Sequence, residues 1–151
     1  MPFTDATQRA LRLANDETIR LGHEYIGTEH LLLGLMNEGG MVFQILVALG
    51  VAPDRLRLAV EAVHPPQSPP GNHPGDRISQ APLTKKAIEY AMEEGYGRNN
   101  WDPTTGIDTG DILLGLIRER AGMAAQLLEG FRITLENAKQ QLAMFSDSGR
   151  N

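Results

Sequence analysis

The chain repeats itself, and the repeat limits what it can fold into more than any other feature. Arg9-Ala10-Leu11-Arg12-Leu13-Ala14 aligns with Lys86-Ala87-Ile88-Glu89-Tyr90-Ala91 at an offset of 77 (87 minus 10). Ile26-Gly27-Thr28-Glu29-His30-Leu31-Leu32-Leu33-Gly34-Leu35 then aligns with Ile107-Asp108-Thr109-Gly110-Asp111-Ile112-Leu113-Leu114-Gly115-Leu116 at an offset of 81 (107 minus 26), so the second copy carries a four-residue insertion. Gly40-Met41 followed by Gln44-Ile45-Leu46 matches Gly122-Met123 followed by Gln126-Leu127-Leu128. A repeat has to be recognised before single elements are assigned, because it sets the architecture. The 151 residues divide into two units of about 75 that form one body.

Each copy reads as four short helices. Thr4 is placed to cap a first helix in which Thr7, Ala10, Leu11, Ala14, Thr18 and Leu21 recur at helical spacing, with Gly22 as its stop. Thr28 is the expected cap of the second, with Glu29 suited to the positive end of its dipole. Leu31, Leu32, Leu35 and Met36 supply the buried face, and Gly39-Gly40 ends it. Gly34 inside that helix costs about 1 kcal/mol of propensity relative to Ala. Its recurrence as Gly115 predicts a close helix-helix approach. A third helix is expected from about Met41 to Leu49 and a fourth from Pro53-Asp54 through Val63. The second copy offers helices near Pro82 to Gly95, Thr109 to Arg120, Met123 to Glu129 and Thr134 to Met144.

The expected organisation is a single domain over 1–151, with repeat one at 3–63, a Pro-rich linker at 64–79 and repeat two at 80–145. From His64 to Asp76 the chain carries five prolines and two glycines, which exclude a regular element. Low aromatic content (5%) beside many aliphatic residues favours helix packing over a sheet. The absence of cysteine excludes a disulfide framework, a thiolate metal site and a cysteine nucleophile. Nineteen acidic residues against fourteen basic, a net charge of −5, argue against nucleic acid as the main partner. No apolar run approaches the ~20 residues of a membrane span, and no secretory signal opens the chain, so no membrane partner and a cytoplasmic location are expected.

The residues Phe3-Thr4, Ala10-Leu11, Ala14, Leu21-Gly22-His23 and Tyr25 through Leu35 closely resemble the N-terminal domain of Clp AAA+ unfoldases, and among them the ClpC type. The resemblance covers about residues 3 to 145. It implies an all-α fold, a pseudo-twofold duplicated four-helix repeat of about eight helices. It also implies a protein-binding module that takes adaptor or substrate proteins to a Clp ATPase ring, in cis or in trans. The chain contains no G-x-x-x-x-G-K-[ST] loop to cradle nucleotide phosphates, and no enzyme activity or cofactor is expected of it. The alternative is a stand-alone structural accessory that modulates assembly of the Clp complex.

The resemblance further implies a receptor for phosphorylated arginine, with a Thr and a Glu at the motif positions. Such a site works by forked hydrogen bonds from guanidinium to carboxylate, while helix N-terminal amides and hydroxyls take the phosphoryl group. Thr4 and Glu29 keep that pair in the first copy, whereas Ala81 and Gly110 replace it in the second. One site per chain, built on Thr4 and Glu29, is the expectation. Both residues also have plain helix-capping roles open to them. Trp101, in the turn-rich insert of the second copy, is the candidate partner contact, its competing role being packing over the core. No metal site is expected from His23, His30, His64 and His73. A loop separates the first two, Glu29-His30 is not the Glu-x-x-His of a one-face ligand pair, and the others fall in the linker. The serines lie in linker or tail segments, unsuited to a triad, and Asp16-Glu17 and Glu93-Glu94 read as solvated faces.

Overall fold

The computed structural model describes residues 2–67, 78–98 and 104–148. Trp101 and His73 lie outside the described residues. Eight helices follow one another among the described residues: α1 (Asp5–Arg20), α2 (Thr28–Glu38), α3 (Met41–Ala48), α4 (Pro53–Val63), α5 (Pro82–Arg98), α6 (Thr109–Glu119), α7 (Met123–Gly130) and α8 (Leu135–Ser148). No strand is present among the described residues, only two isolated parallel bridges. The fold is all-α and duplicated, α1–α4 answering to α5–α8.

The sequence explains which helices are central. Thr28 through Met36 are buried without a break in α2, and Thr109 through Leu116 likewise in α6. A helix apolar all round has no solvent face to offer, so it sits inside and the others pack on it. α1 lies along α2 and α5 along α6 as the two dominant pairs, while α2 and α6 also touch each other and the partner repeat's short helices α7 and α3. One aliphatic core therefore runs through both repeats.

The recurring glycine has the role its repetition suggested. A Cβ on Gly34 would stand 2.3 Å from the Ala10 carbonyl oxygen and 2.8 Å from the Ala14 amide nitrogen; on Gly115 it would stand 2.2 Å from the Ala87 oxygen and 2.9 Å from the Ala91 nitrogen. Both obstacles are backbone, which cannot swing aside.

Two local expectations are corrected. The N-cap of α2 is Gly27, without a side-chain cap bond. Thr28 is one position inside and turns its hydroxyl away, accepting from the Ala124 amide of α7 at 3.2 Å. Glu17 is not on a solvated face; it is buried and bonded to Asn37 Nδ2 at 2.8 Å and to Arg20. The tertiary neighbour Asn37, twenty residues away, makes that burial tolerable.

The repeats are joined by exchange. The segment before α1 pairs with the segment before α6 (Phe3 with Ile107), and the segment before α5 pairs with the one before α2 (Gln80 with Ile26). The Ile107 carbonyl accepts from the Thr4 amide (3.1 Å) and the Thr7 hydroxyl (2.9 Å). The Ile26 carbonyl accepts from the Ala81 amide (2.9 Å) and the Thr84 hydroxyl (2.8 Å) in the equivalent way.

Gly34→Ala and Gly115→Ala should each lower the unfolding free energy by about 3 kcal/mol, since an overpacked methyl here must displace backbone. Gly97→Ala, with open space around it in the last turn of α5, should leave stability unchanged or raise it by about 0.5 kcal/mol. Denaturant titration of the three variants checks both the sign and the contrast.

Candidate functional site

Exchange builds two composite corners, each with residues from both repeats. The first holds a cavity of about 630 Å³. Its walls come from the loop before α2 (His23, Tyr25), the start of α2 (Thr28, Glu29), the end of α4 (His64), the start of α5 (Ala81, Leu83) and the start of α7 (Gly122, Met123). Three helix N-termini thus face one space. Unsatisfied amides and aligned dipoles make such ends favourable for anions.

Glu29 is the buried carboxylate of this corner, with 5% of its side chain exposed. It folds back over Gly27, where an added Cβ would stand 1.9 Å from Oε1. Its Oε2 lies 2.7 Å from His64 Nδ1. Glycine at position 27 is therefore what makes room for the carboxylate.

Three histidines meet beside it, which the sequence reading did not anticipate. His64 stands at the C-cap of α4, and its ring stacks on His23 at 3.4 Å between centroids with 2° between planes. His23 Nδ1 is 2.7 Å from His30 Nε2. The amide of Gly27 donates to His30 Nδ1 at 2.8 Å, which fixes the direction of the whole chain. With Nδ1 accepting, neutral His30 carries its proton on Nε2 and donates to His23 Nδ1. His23 then carries its proton on Nε2 and donates to the Pro65 carbonyl at 2.9 Å.

Burial pushes the His30 imidazole down to about 4, the Glu29 carboxylate being the main opposing influence. Burial also lowers His23, against the bond to the Pro65 carbonyl. Both rings stay neutral at pH 7, as the hydrogen-bond chain requires.

A ligand nitrogen of each of these histidines lies within 4.8 Å of the others. The chemistry of the donors nevertheless does not suit a metal. His30 spends its lone pair on the Gly27 amide, so its Nε2 could bind an ion only as an imidazolate. Parallel stacked rings, moreover, cannot both direct in-plane lone pairs at one ion.

The second corner is built differently. Thr4 caps α1, accepting from the Thr7 amide at 3.2 Å, and donates to Asp108 Oδ1 at 3.0 Å. Asp108 caps α6, accepting from the Thr109 amide, and Asp111 pairs with Arg98 at 2.7 Å. Gly110, at the position of Glu29, lies under Leu142 and Met41: a Cβ there would stand 2.4 Å from Leu142 Cδ2 and 3.1 Å from Met41 Cε. Apolar side chains have taken the space of the second carboxylate. The cavity remaining there is about 290 Å³.

Thr4 and Glu29 thus line different corners. Exchange sets the leading segment of each repeat beside the second helix of the other. Glu29 consequently faces Ala81 and Leu83, while Thr4 faces Asp108. Each corner keeps half of the pair: the first the carboxylate without the hydroxyl, the second the hydroxyl without the carboxylate. Periodicity carries no information on which copy's segment completes which corner. The role of His64 was hidden because its partner lies 35 residues earlier.

The chain is an all-helical duplicated domain whose halves exchange their leading segments around a pocket that holds a buried carboxylate. Residues 2–101 match the Clp repeat (R) N-terminal domain, and the chain belongs to that family. It is 39% identical over 141 residues to the negative regulator of genetic competence ClpC/MecB of Bacillus subtilis (strain 168), covering 93% of this chain and 16% of that protein. To the chaperone protein ClpB of Oceanobacillus iheyensis it is 35% identical over 150 residues, covering 99% and 18%. The chain thus spans less than a fifth of the length of these curated relatives. Among solved structures, the N-terminal domain of ClpD from Arabidopsis thaliana superposes with a TM-score of 0.69 at 24% identity, covering 94% of this chain and 95% of that one. The Hsp104 N-terminal domain from Candida albicans gives 0.71 at 14% identity, covering 93% and 89%.

Because His30 has a lowered ionisation in the folded state, the unfolded chain binds its proton first. Unfolding free energy should therefore fall as pH drops from about 6.5, the unfolded value, toward about 4. His30→Gln keeps an acceptor for the Gly27 amide and removes the titration. Chemical denaturation between pH 7 and pH 4 should show a shallower loss for His30→Gln than for the parent chain.

Proposed function

We propose that this chain is a recruitment module, gathering adaptor or substrate proteins for a Clp AAA+ ring supplied by the same polypeptide or a separate one. We further infer that its first corner binds an arginine side chain, with arginine phosphate as the preferred form. The observation that carries the reading is a single buried carboxylate, Glu29, set in a cavity faced by the starts of α2, α5 and α7. A carboxylate offers the forked acceptor that a guanidinium fits, and helix N-termini favour the phosphoryl group.

The site is assembled without Thr4. Its counterpart Ala81 brings no hydroxyl, so the dipoles of α5 and α7 favour the anion. The exposed side chains of Tyr25 and Leu83 line the mouth and give the residues flanking an arginine an apolar footing. The second corner binds no such group, because Leu142 and Met41 fill the place of its carboxylate.

Calorimetric titration with phosphoarginine should give one site per chain. Glu29→Ala should weaken binding about 10- to 100-fold, the value of a charge-assisted fork. Thr4→Ala should bind like the parent chain. Two equivalent sites, or undiminished binding in Glu29→Ala, would overturn this reading, and a Thr4→Ala loss as large as that of Glu29→Ala would overturn the composition of the site.

A further inference from the structure

The carboxylate on which the arginine site depends is not free in this structure. Glu29 Oε2 is taken by His64 Nδ1 at 2.7 Å, and Oε1 is turned onto Gly27. A guanidinium fork needs both oxygens. With 5% of the Glu29 side chain exposed, an incoming cation cannot approach alongside His64. It has to take that place. The His64 side chain is 31% exposed, the least buried of the three histidines.

We propose that His64 is the resident occupant of the cation subsite, a latch on Glu29 that decides when and for what ligand the pocket opens. The inference rests on the reading of Glu29 as an arginine receptor. A neutral imidazole holds the carboxylate with one ordinary hydrogen bond, which a forked guanidinium outcompetes. An imidazolium holds it by a charged pair and repels the arriving cation, so acid closes the site and mildly alkaline pH opens it.

The surroundings single out His64 as the group that responds. Facing it are Glu29 and His30 from α2 and His23 from the loop before α2, and Glu24 shares the pocket wall. His23 and His30 are committed to the neutral hydrogen-bond chain from Gly27 to Pro65. The pocket residues contributed by α5 and α7, namely Pro82, Leu83 and Met123, carry no charge. The second corner has no such device, since Asp111 is held by Arg98, whose charge does not titrate.

The test uses the 151-residue chain and a probe whose charge is constant over the range, Nα-acetyl-arginine amide, followed by NMR titration at pH 5.5 and pH 8. The parent chain should bind about three- to tenfold more weakly at pH 5.5, the scale of one partly exposed ion pair. His64→Gln keeps a neutral donor, so it should bind equally at both pH values and as well as the parent chain does at pH 8. His64→Lys should bind weakly at both. Far-UV circular dichroism and thermal melting confirm that each variant is folded, and His64→Asn serves if His64→Gln is not. A pH profile in His64→Gln or His64→Asn equal to that of the parent chain, or a parent profile that is flat, would overturn the latch. Phosphoarginine binding separates the two ideas. If it binds through Glu29 while the amide probe shows no dependence on His64, the latch alone falls. If phosphoarginine does not bind while the amide probe follows the profile above, the preference for the phosphorylated form falls and the latch stands.

Discussion

Two isoleucine carbonyls hold the two halves of this protein in register. Ile26 and Ile107 each accept an amide and a threonine hydroxyl from the start of the other repeat's first helix, Ala81 with Thr84 in one case and Thr4 with Thr7 in the other. These are buried interactions, and a buried carbonyl left unsatisfied is costly. The leading segment of each repeat therefore has one low-energy place to go, beside the partner's second helix. Everything at the two corners follows from that placement, including which residues face Glu29.

The core depends on a second constraint. α2 and α6 are buried from Thr28 to Met36 and from Thr109 to Leu116 and must be covered, and the main cover is α1 on α2 and α5 on α6. Gly34 and Gly115 let the backbones meet with almost nothing between them, giving many dispersion contacts for the loss of one side chain each. The two glycines weaken their helices locally, yet the packed pairs are what make eight short helices stable together.

Duplication then allowed the halves to diverge within a fixed frame. At the first corner a glycine precedes a glutamate by two residues (Gly27, Glu29); at the second an aspartate precedes a glycine by two (Asp108, Gly110). The exchange is one of space as well as charge. Glu29 occupies the volume above Gly27, whereas Leu142 and Met41 occupy the volume above Gly110. One corner became a pocket with a buried carboxylate, a stack of histidines and three helix starts; the other became a capped and ion-paired joint. We propose that this asymmetry lets a twofold body present a single arginine-recognising face.

The sequence by itself determined the duplication, the all-helical class and the approximate place of all eight helices, because apolar spacing, caps and stops act over a few residues. Gly34 and Gly115 were legible for the same reason, as a repeated exception to helix propensity. Half of the candidate site was legible too, since the Gly-Thr-Glu-His stretch singles out Glu29. What only the tertiary structure decided was company: that Glu29 meets Ala81 and not Thr4, that Gly27 and not Thr28 caps α2, and that His64 comes back to His23, His30 and Glu29. The pairings of Glu29 and His64 join residues 34 (64 minus 30) to 52 (81 minus 29) positions apart. They are set by which buried polar group finds a partner once the two repeats close, a condition that exists only in the folded chain.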